Sequence, residues 1–156
     1  ALALGRKDLP FYAERWEAYR AALEDGGLPY DERLVVHETN GTNSFYHLTK
    51  QLVKGPVKPD AIFATSDPKA IVVMRALHGC GLRIPEDVSV LGFDNAYISS
   101  LIEPPLSTVS QPLYDMGVIA AKKLIRRIRS KEDKSLYEPP SVEVMPTDLI
   151  IRKSTR

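Results

Sequence analysis

The sequence predicts an α/β fold with a doubly wound parallel sheet, and three observations carry that expectation. Short apolar runs alternate with segments of helical periodicity along the chain, the pattern of repeated strand–helix–strand units. The run Val88–Phe93 is almost continuously apolar, as suits a strand covered on both faces. Polar residues stand directly after apolar strands: Ser66 and Asp67 follow AIFAT, and Asp94 and Asn95 follow VSVLGF. In an open parallel sheet, ligands bind at such carboxyl ends.

The elements follow in order. Ala1 to Leu4 reads as the end of an apolar strand, with a turn at Gly5. Asp8 and Pro10 are start signals for a helix. Tyr12, Trp16, Tyr19 and Leu23 repeat at helical spacing until Gly26-Gly27 stops the run. Leu34 to His37 is a short strand. Asn43 to about Lys54 is a second helix, with Phe45, Leu48 and Leu52 on one face. Pro56 and Pro59 punctuate the approach to the strand Ala61 to Ala64. Asp67-Pro68 reads as an N-cap followed by a first-turn proline, opening a helix through Ile71, Met74 and Leu77 to the glycines at 79 and 81. After the strand Val88 to Phe93, Pro104-Pro105 breaks the chain and Leu106 to Val109 is extended. Pro112 opens the last long helix, with Leu113, Gly117, Ala120, Leu124 and Ile128 on its inner face. A charged, proline-bearing loop spans Ser130 to Pro140, and Val142 to Ile151 is a closing extended segment interrupted at Pro146.

Composition narrows the function. The chain has 156 residues, enough for one domain, with 44% hydrophobic and 26% charged residues, the balance of an ordinary globular chain. Its 21 Lys and Arg against 20 Asp and Glu give no drive toward a polyanion such as DNA. The single cysteine, Cys80, forms no internal disulfide, which fits a reducing, cytoplasmic compartment. No apolar run approaches the roughly 20 residues that span a bilayer, so no membrane partner is expected. The cluster Lys122, Lys123, Arg126, Arg127, Arg129 and Lys131 reads as a solvated helix face. The histidines, His37, His47 and His78, are scattered without a metal-ligand spacing. There is no dinucleotide fingerprint, phosphate loop or nucleophile motif. Neither a cofactor, a metal nor an enzymatic activity is expected.

Residues 59–112 carry a more specific signal: PDAIF, then Ser-Asp, a helix, GLRIPEDVSVLGFD and PPLSTVSQP. This stretch, with the ending MPTDLIIRKSTR, resembles the effector-binding core of the lactose/galactose repressor family of bacterial transcription regulators. The resemblance implies a periplasmic-binding-protein-like type I fold of two lobes, here with the C-terminal lobe largely present and the N-terminal lobe mostly missing. Residues 1 to about 110 and 141–156 would form the C-terminal lobe, and 111–140 a crossover and helix of the N-terminal lobe. The chain then looks like a C-terminal part of a longer protein, without the DNA-binding headpiece. The helix from Pro112 to about Arg129 would lack the sheet on which its apolar face packs.

The same resemblance assigns site residues. Asp94 matches a ligand-contacting aspartate, and a carboxylate accepting several hydrogen bonds suits paired sugar hydroxyls or a ring amine. Arg15 matches an arginine that points into the cleft, where its planar fork suits hydroxyls or a carboxylate. Ser66 matches a strand-end position that hydrogen-bonds the effector, and Gln111 a glutamine at the hinge crossover. Trp16 could offer a ring face, although its spacing with Tyr12 and Tyr19 better fits core packing. Many relatives carry an aromatic where this chain has Thr39, flanked by Glu38 and Asn40, which suggests a more polar effector. The implied function is sensing of a small molecule, a sugar or sugar-like metabolite, whose binding controls operator affinity of the absent helix-turn-helix. A homodimer through the C-terminal lobe is implied, using Ile71, Val72, Arg75, Tyr97, Ile98 and Leu101. A periplasmic sugar-binding protein for transport shares the architecture, and the full N-terminus discriminates: a signal peptide there means transport.

Overall fold

The computed structural model describes residues 1–5, 9–37, 45–131 and 139–156. Asp8, Glu38, Thr39, Asn40 and Asn43, all singled out above, lie outside the described residues. The chain divides into two compact units, Ala1–Val109 with Leu149–Arg156, and Ser110–Asp148.

The strands are β1 (Leu2–Leu4), β2 (Val35–His37), β3 (Ala61–Ala64), β4 (Ser89–Asp94), β5 (Ser107–Ser110) and β6 (Asp148–Ile150). They form one sheet in the order β2-β1-β3-β4-β5-β6, and β1 pairs parallel with both β2 and β3, as β3 does with β4. The helices are α1 (Pro10–Asp25), α2 (Phe45–Lys54), α3 (Asp67–His78) and α4 (Leu113–Arg129). This is the doubly wound α/β architecture, and the side-chain alternation of β1 shows why. Leu2 and Leu4 face one layer with Val35, Phe63, Tyr12, Trp16 and Tyr19, while Ala3 faces the other with Phe45, Leu52, Ile62, Val73 and Leu77. α1 therefore covers one face, and α2 and α3 cover the other. Burial on the first face pushes the Tyr19 hydroxyl above its ordinary value, with Tyr30 and Asp31 adding to the shift.

Strand order places a switch point. From β1 the chain goes outward to β2, then returns across β1 to β3. The carboxyl ends of β1 and β3 thus border the place where such sheets open a crevice.

Two expectations need correction. The closing extended segment is a strand only over Asp148–Ile150. Pro146 lacks the N–H that a ladder needs, and Val142 and Val144 stand exposed rather than paired into a layer. Asp67 is not the N-cap of α3. Ser66 takes that position with extended backbone, and Asp67 begins the helix with its side chain turned elsewhere.

In the second unit, α4 has no buried residue. Leu113, Leu124 and Ile128, assigned to an inner face, are each more than half exposed. Pro112 stands at the cap position, and the Met116 N–H closes the first turn on its carbonyl at 2.9 Å.

Candidate functional site

The first unit gathers polar groups at the carboxyl ends of β1, β3 and β4. Strand β3 ends at Ala64, and the Thr65 N–H and hydroxyl both donate to the Ala3 carbonyl, at 3.1 and 3.2 Å, tying this end to β1. The Arg15 guanidinium reaches over from α1, donates to the Thr65 carbonyl at 2.6 Å and lies 4.0 Å over the Phe93 ring. Arg15 therefore touches the residue before Ser66 and the residue before Asp94. Three of the expected positions, Arg15, Ser66 and Asp94, share one sheet edge.

Ser66 is half-buried, and its hydroxyl accepts from the Lys69 ammonium at 3.3 Å. Lys69 also donates to the Tyr12 hydroxyl at 2.5 Å and sits 4.6 Å over that ring. Tyr12 can lie against the end of β1 because Gly5 has no side chain; a Cβ there would overlap the phenol ring. Neither Lys69 nor Tyr12 was expected here. The sequence signal available was Lys69 itself, a lysine standing before the apolar run Ala70 to Met74 in the opening turns of α3.

Asp94 closes β4 at φ 111°, and Asn95 follows at φ 54°. A positive φ is uncommon for a side-chain-bearing residue, and the surrounding structure must hold it. The holding group is Asp67, fully buried. Its Oδ2 accepts the Ala96 N–H at 2.7 Å, and its Oδ1 accepts the Thr108 hydroxyl at 2.6 Å. Thr108 in turn accepts from the Asn95 N–H at 3.3 Å. Both residues after Asp94 are thereby pinned by their backbone amides. Gly92 makes room for the carboxylate, since a Cβ there would overlap Asp67 Oδ1 and meet Leu106.

A second brace comes from the chain's end. Arg152 donates to Asn95 Oδ1 at 2.7 Å, to the Leu106 carbonyl at 2.6 Å and to the Ser99 hydroxyl at 3.2 Å. The loop that presents Asp94 is thus fixed by α3, β5 and the C-terminal tail. The sequence pointed to Asp94, but it gave no sign of Thr108 or Arg152.

The other expected positions lie elsewhere. Trp16 packs against the Leu2, Leu4 and Val35 face, with its indole N–H 3.2 Å from the Tyr30 hydroxyl. Gln111 belongs to the second unit, lining a groove of about 300 Å³ with Met116, Ile119, Lys123 and Met145. Val72 packs against the larger core cluster and Ile71 is half-buried. Arg75 is exposed, 5.7 Å from the Tyr46 ring. Tyr97, Ile98 and Leu101 form an exposed apolar patch, with Tyr97 82% accessible. Among the described residues no group of His, Cys, Asp and Glu could hold a metal ion, and no helix is long and apolar enough to cross a membrane.

The model of the periplasmic binding protein-like domain matches residues 1–155. The HTH-type transcriptional regulator CelR of Thermobifida fusca is 34% identical over 99% of this chain. The ribose operon repressor of Halalkalibacterium halodurans is 31% identical over 97% of it. The chain spans 44% of the length of each. Among solved structures, a complex of the regulator CelR with cellobiose superposes with a TM-score of 0.86 at 34% identity, over 99% of this chain and 46% of that one. The transcription regulator CcpA of Lactococcus lactis superposes with a TM-score of 0.81 at 27% identity, over 100% and 55%.

Proposed function

The chain belongs to the periplasmic binding protein-like family, in the form of the effector-binding domain of lactose/galactose-type repressors, and from that premise we propose that it senses a small molecule for a transcription regulator. The ligand, a sugar or sugar-like metabolite, binds at the carboxyl edge where Arg15, Ser66 and Asp94 meet. Asp94 accepts from ligand hydroxyls, and Arg15 donates to ligand oxygens. The first unit serves as the C-terminal lobe, while α4 and its flanking segments belong with the N-terminal lobe. Two copies pair through the exposed patch of Tyr97, Ile98 and Leu101 with the outer side of α3. Operator DNA is held by a headpiece outside this chain, and the protein works in the cytoplasm.

The observation that carries this reading is the brace around Asp94. Two backbone amides, a buried carboxylate and a guanidinium fix a loop whose backbone is strained. Such strain persists where surrounding structure over-determines it, and it clusters at ligand sites. The test is a thermal-shift screen of sugars and nucleobases on the intact protein. A ligand at a hundredfold its Kd stabilises the native state by about 2.7 kcal/mol. A hit should vanish in Asp94→Ala; a hit that survives unchanged in that variant rules out this site.

A further inference from the structure

We propose that the ligand carries an anionic group, a carboxylate or a phosphate, received by Lys69 with Arg15. This rests on the effector-domain reading and sharpens it to a chemical class. Lys69 stands at the switch point between β1 and β3, where the fold opens its crevice. It is half-buried, with the Tyr12 ring 4.6 Å and the Phe45 ring 5.8 Å from its ammonium. Its hydrogen-bond partners are two neutral hydroxyls, Tyr12 and Ser66. Arg15 shares this edge and likewise bonds a neutral carbonyl, with the Phe93 ring beneath it.

Among the described residues neither cation has a carboxylate partner. Elsewhere the pattern is different: Arg33 pairs with Asp31, Arg83 with Asp87 and Lys123 with Glu143, all at more exposed positions. Partly burying a cation without a counter-charge is costly. Two such cations, anchored at the adjacent residues Thr65 and Ser66, make a site that an anion completes. The first turn of α3, which carries Lys69, adds the positive end of a helix dipole. The ammonium has three donors and two are engaged, leaving one for the ligand. Asp94 on the neighbouring strand accepts hydroxyl donors. A ligand with hydroxyls toward β4 and a negative group toward β3, such as a sugar acid or a sugar phosphate, satisfies both.

The test is calorimetric titration of the intact protein with glucuronate, galacturonate and glucose 6-phosphate, beside glucose, galactose and cellobiose. The expected result is binding of at least one anionic probe. Lys69→Met, which removes a charged donor, should weaken it about tenfold or more, and Lys69→Arg, which keeps the positive charge and its N–H donors, should stay within about threefold. Uronates and the sugar phosphate together tell carboxylate from phosphate. Circular-dichroism melting of each variant confirms folding; if Lys69→Met does not fold, Lys69→Gln is used. Binding of neutral sugars alone, or anion binding indifferent to Lys69, overturns the anion assignment and leaves the effector-domain reading standing. Failure of both probe sets overturns the anion assignment and removes support from that reading as well.

Discussion

The Thr108 hydroxyl donates to the fully buried Asp67 carboxylate at 2.6 Å, joining β5 to the start of α3. This bond also orients Thr108 to receive the Asn95 amide. Thr108→Val keeps the shape and deletes both interactions. It should cost about 1–3 kcal/mol, the range for leaving a buried polar partner unsatisfied. Urea unfolding measures it, and a loss below about 0.5 kcal/mol removes Asp67 from its role as the brace.

Gly92 and Asp67 should behave as a coupled pair. Gly92→Ala places a Cβ into the carboxylate and should destabilise by about 1–3 kcal/mol through overpacking. In Asp67→Ala the obstacle is gone, so the same glycine change should cost less. A double-mutant cycle reads the coupling, expected above about 0.5 kcal/mol. Strict additivity would count against the close approach.

Asp94→Gly separates stability from binding. Glycine adopts a positive φ without penalty, and the relief, about 1 kcal/mol, offsets what the side chain contributes to the fold. The melting temperature should not fall, while affinity for any effector drops more than tenfold, or about 1.4 kcal/mol. A variant that melts early and still binds would contradict both halves.

The exposed patch predicts the oligomeric state. Leu101→Glu puts a charge among Tyr97, Ile98 and Leu101. Sedimentation equilibrium should show a dimer for the intact protein and a monomer for this variant. The parent sedimenting as a monomer at high concentration would rule out the interface.

Asp87 supplies a pH signature. Its carboxyl is pushed down to about 2, first by the Arg83 side-chain hydrogen bond and then by the Arg83 backbone N–H. A carboxyl whose folded value lies below its unfolded value adds stability that is complete above the unfolded value. That contribution is lost as pH falls from about 4 toward 2. The pair is solvent-exposed, so the effect on melting should be small and weakened by salt. Carboxyl NMR titration should find Asp87 below 3 in the parent and near the ordinary value, about 3.9, in Arg83→Met.

Much of the fold was legible because its signals are short-range. The apolar run Ala1 to Leu4 and the glycine stops of α1 and α3 act within a few residues. Of the residues at this sheet edge, Arg15 was named only through the family resemblance, and Ser66 and Asp94 also because a polar residue there directly follows a strand. Asp67 was misjudged on a local signal too. Asp-Pro before an apolar run is local cap chemistry, and nothing nearby announces partners 29 and 41 residues away. The closing segment was read as extended over its whole length, but the strand covers only Asp148–Ile150, and Val142 and Val144 stand exposed.

The sequence by itself determined the order of strands and helices, the two-sided burial of the sheet, and the strand ends that carry polar groups. Those follow from periodicity and backbone preference, which each segment carries alone. Tertiary structure decided which polar atoms meet. Lys69 reaches Tyr12 across 57 residues because β1 and β3 are neighbours in the sheet. Asp67 finds Thr108 because α3 begins beside β4, whose other neighbour is β5. Such meetings depend on strand order and register, set by the packing of the whole core, so no single segment encodes them.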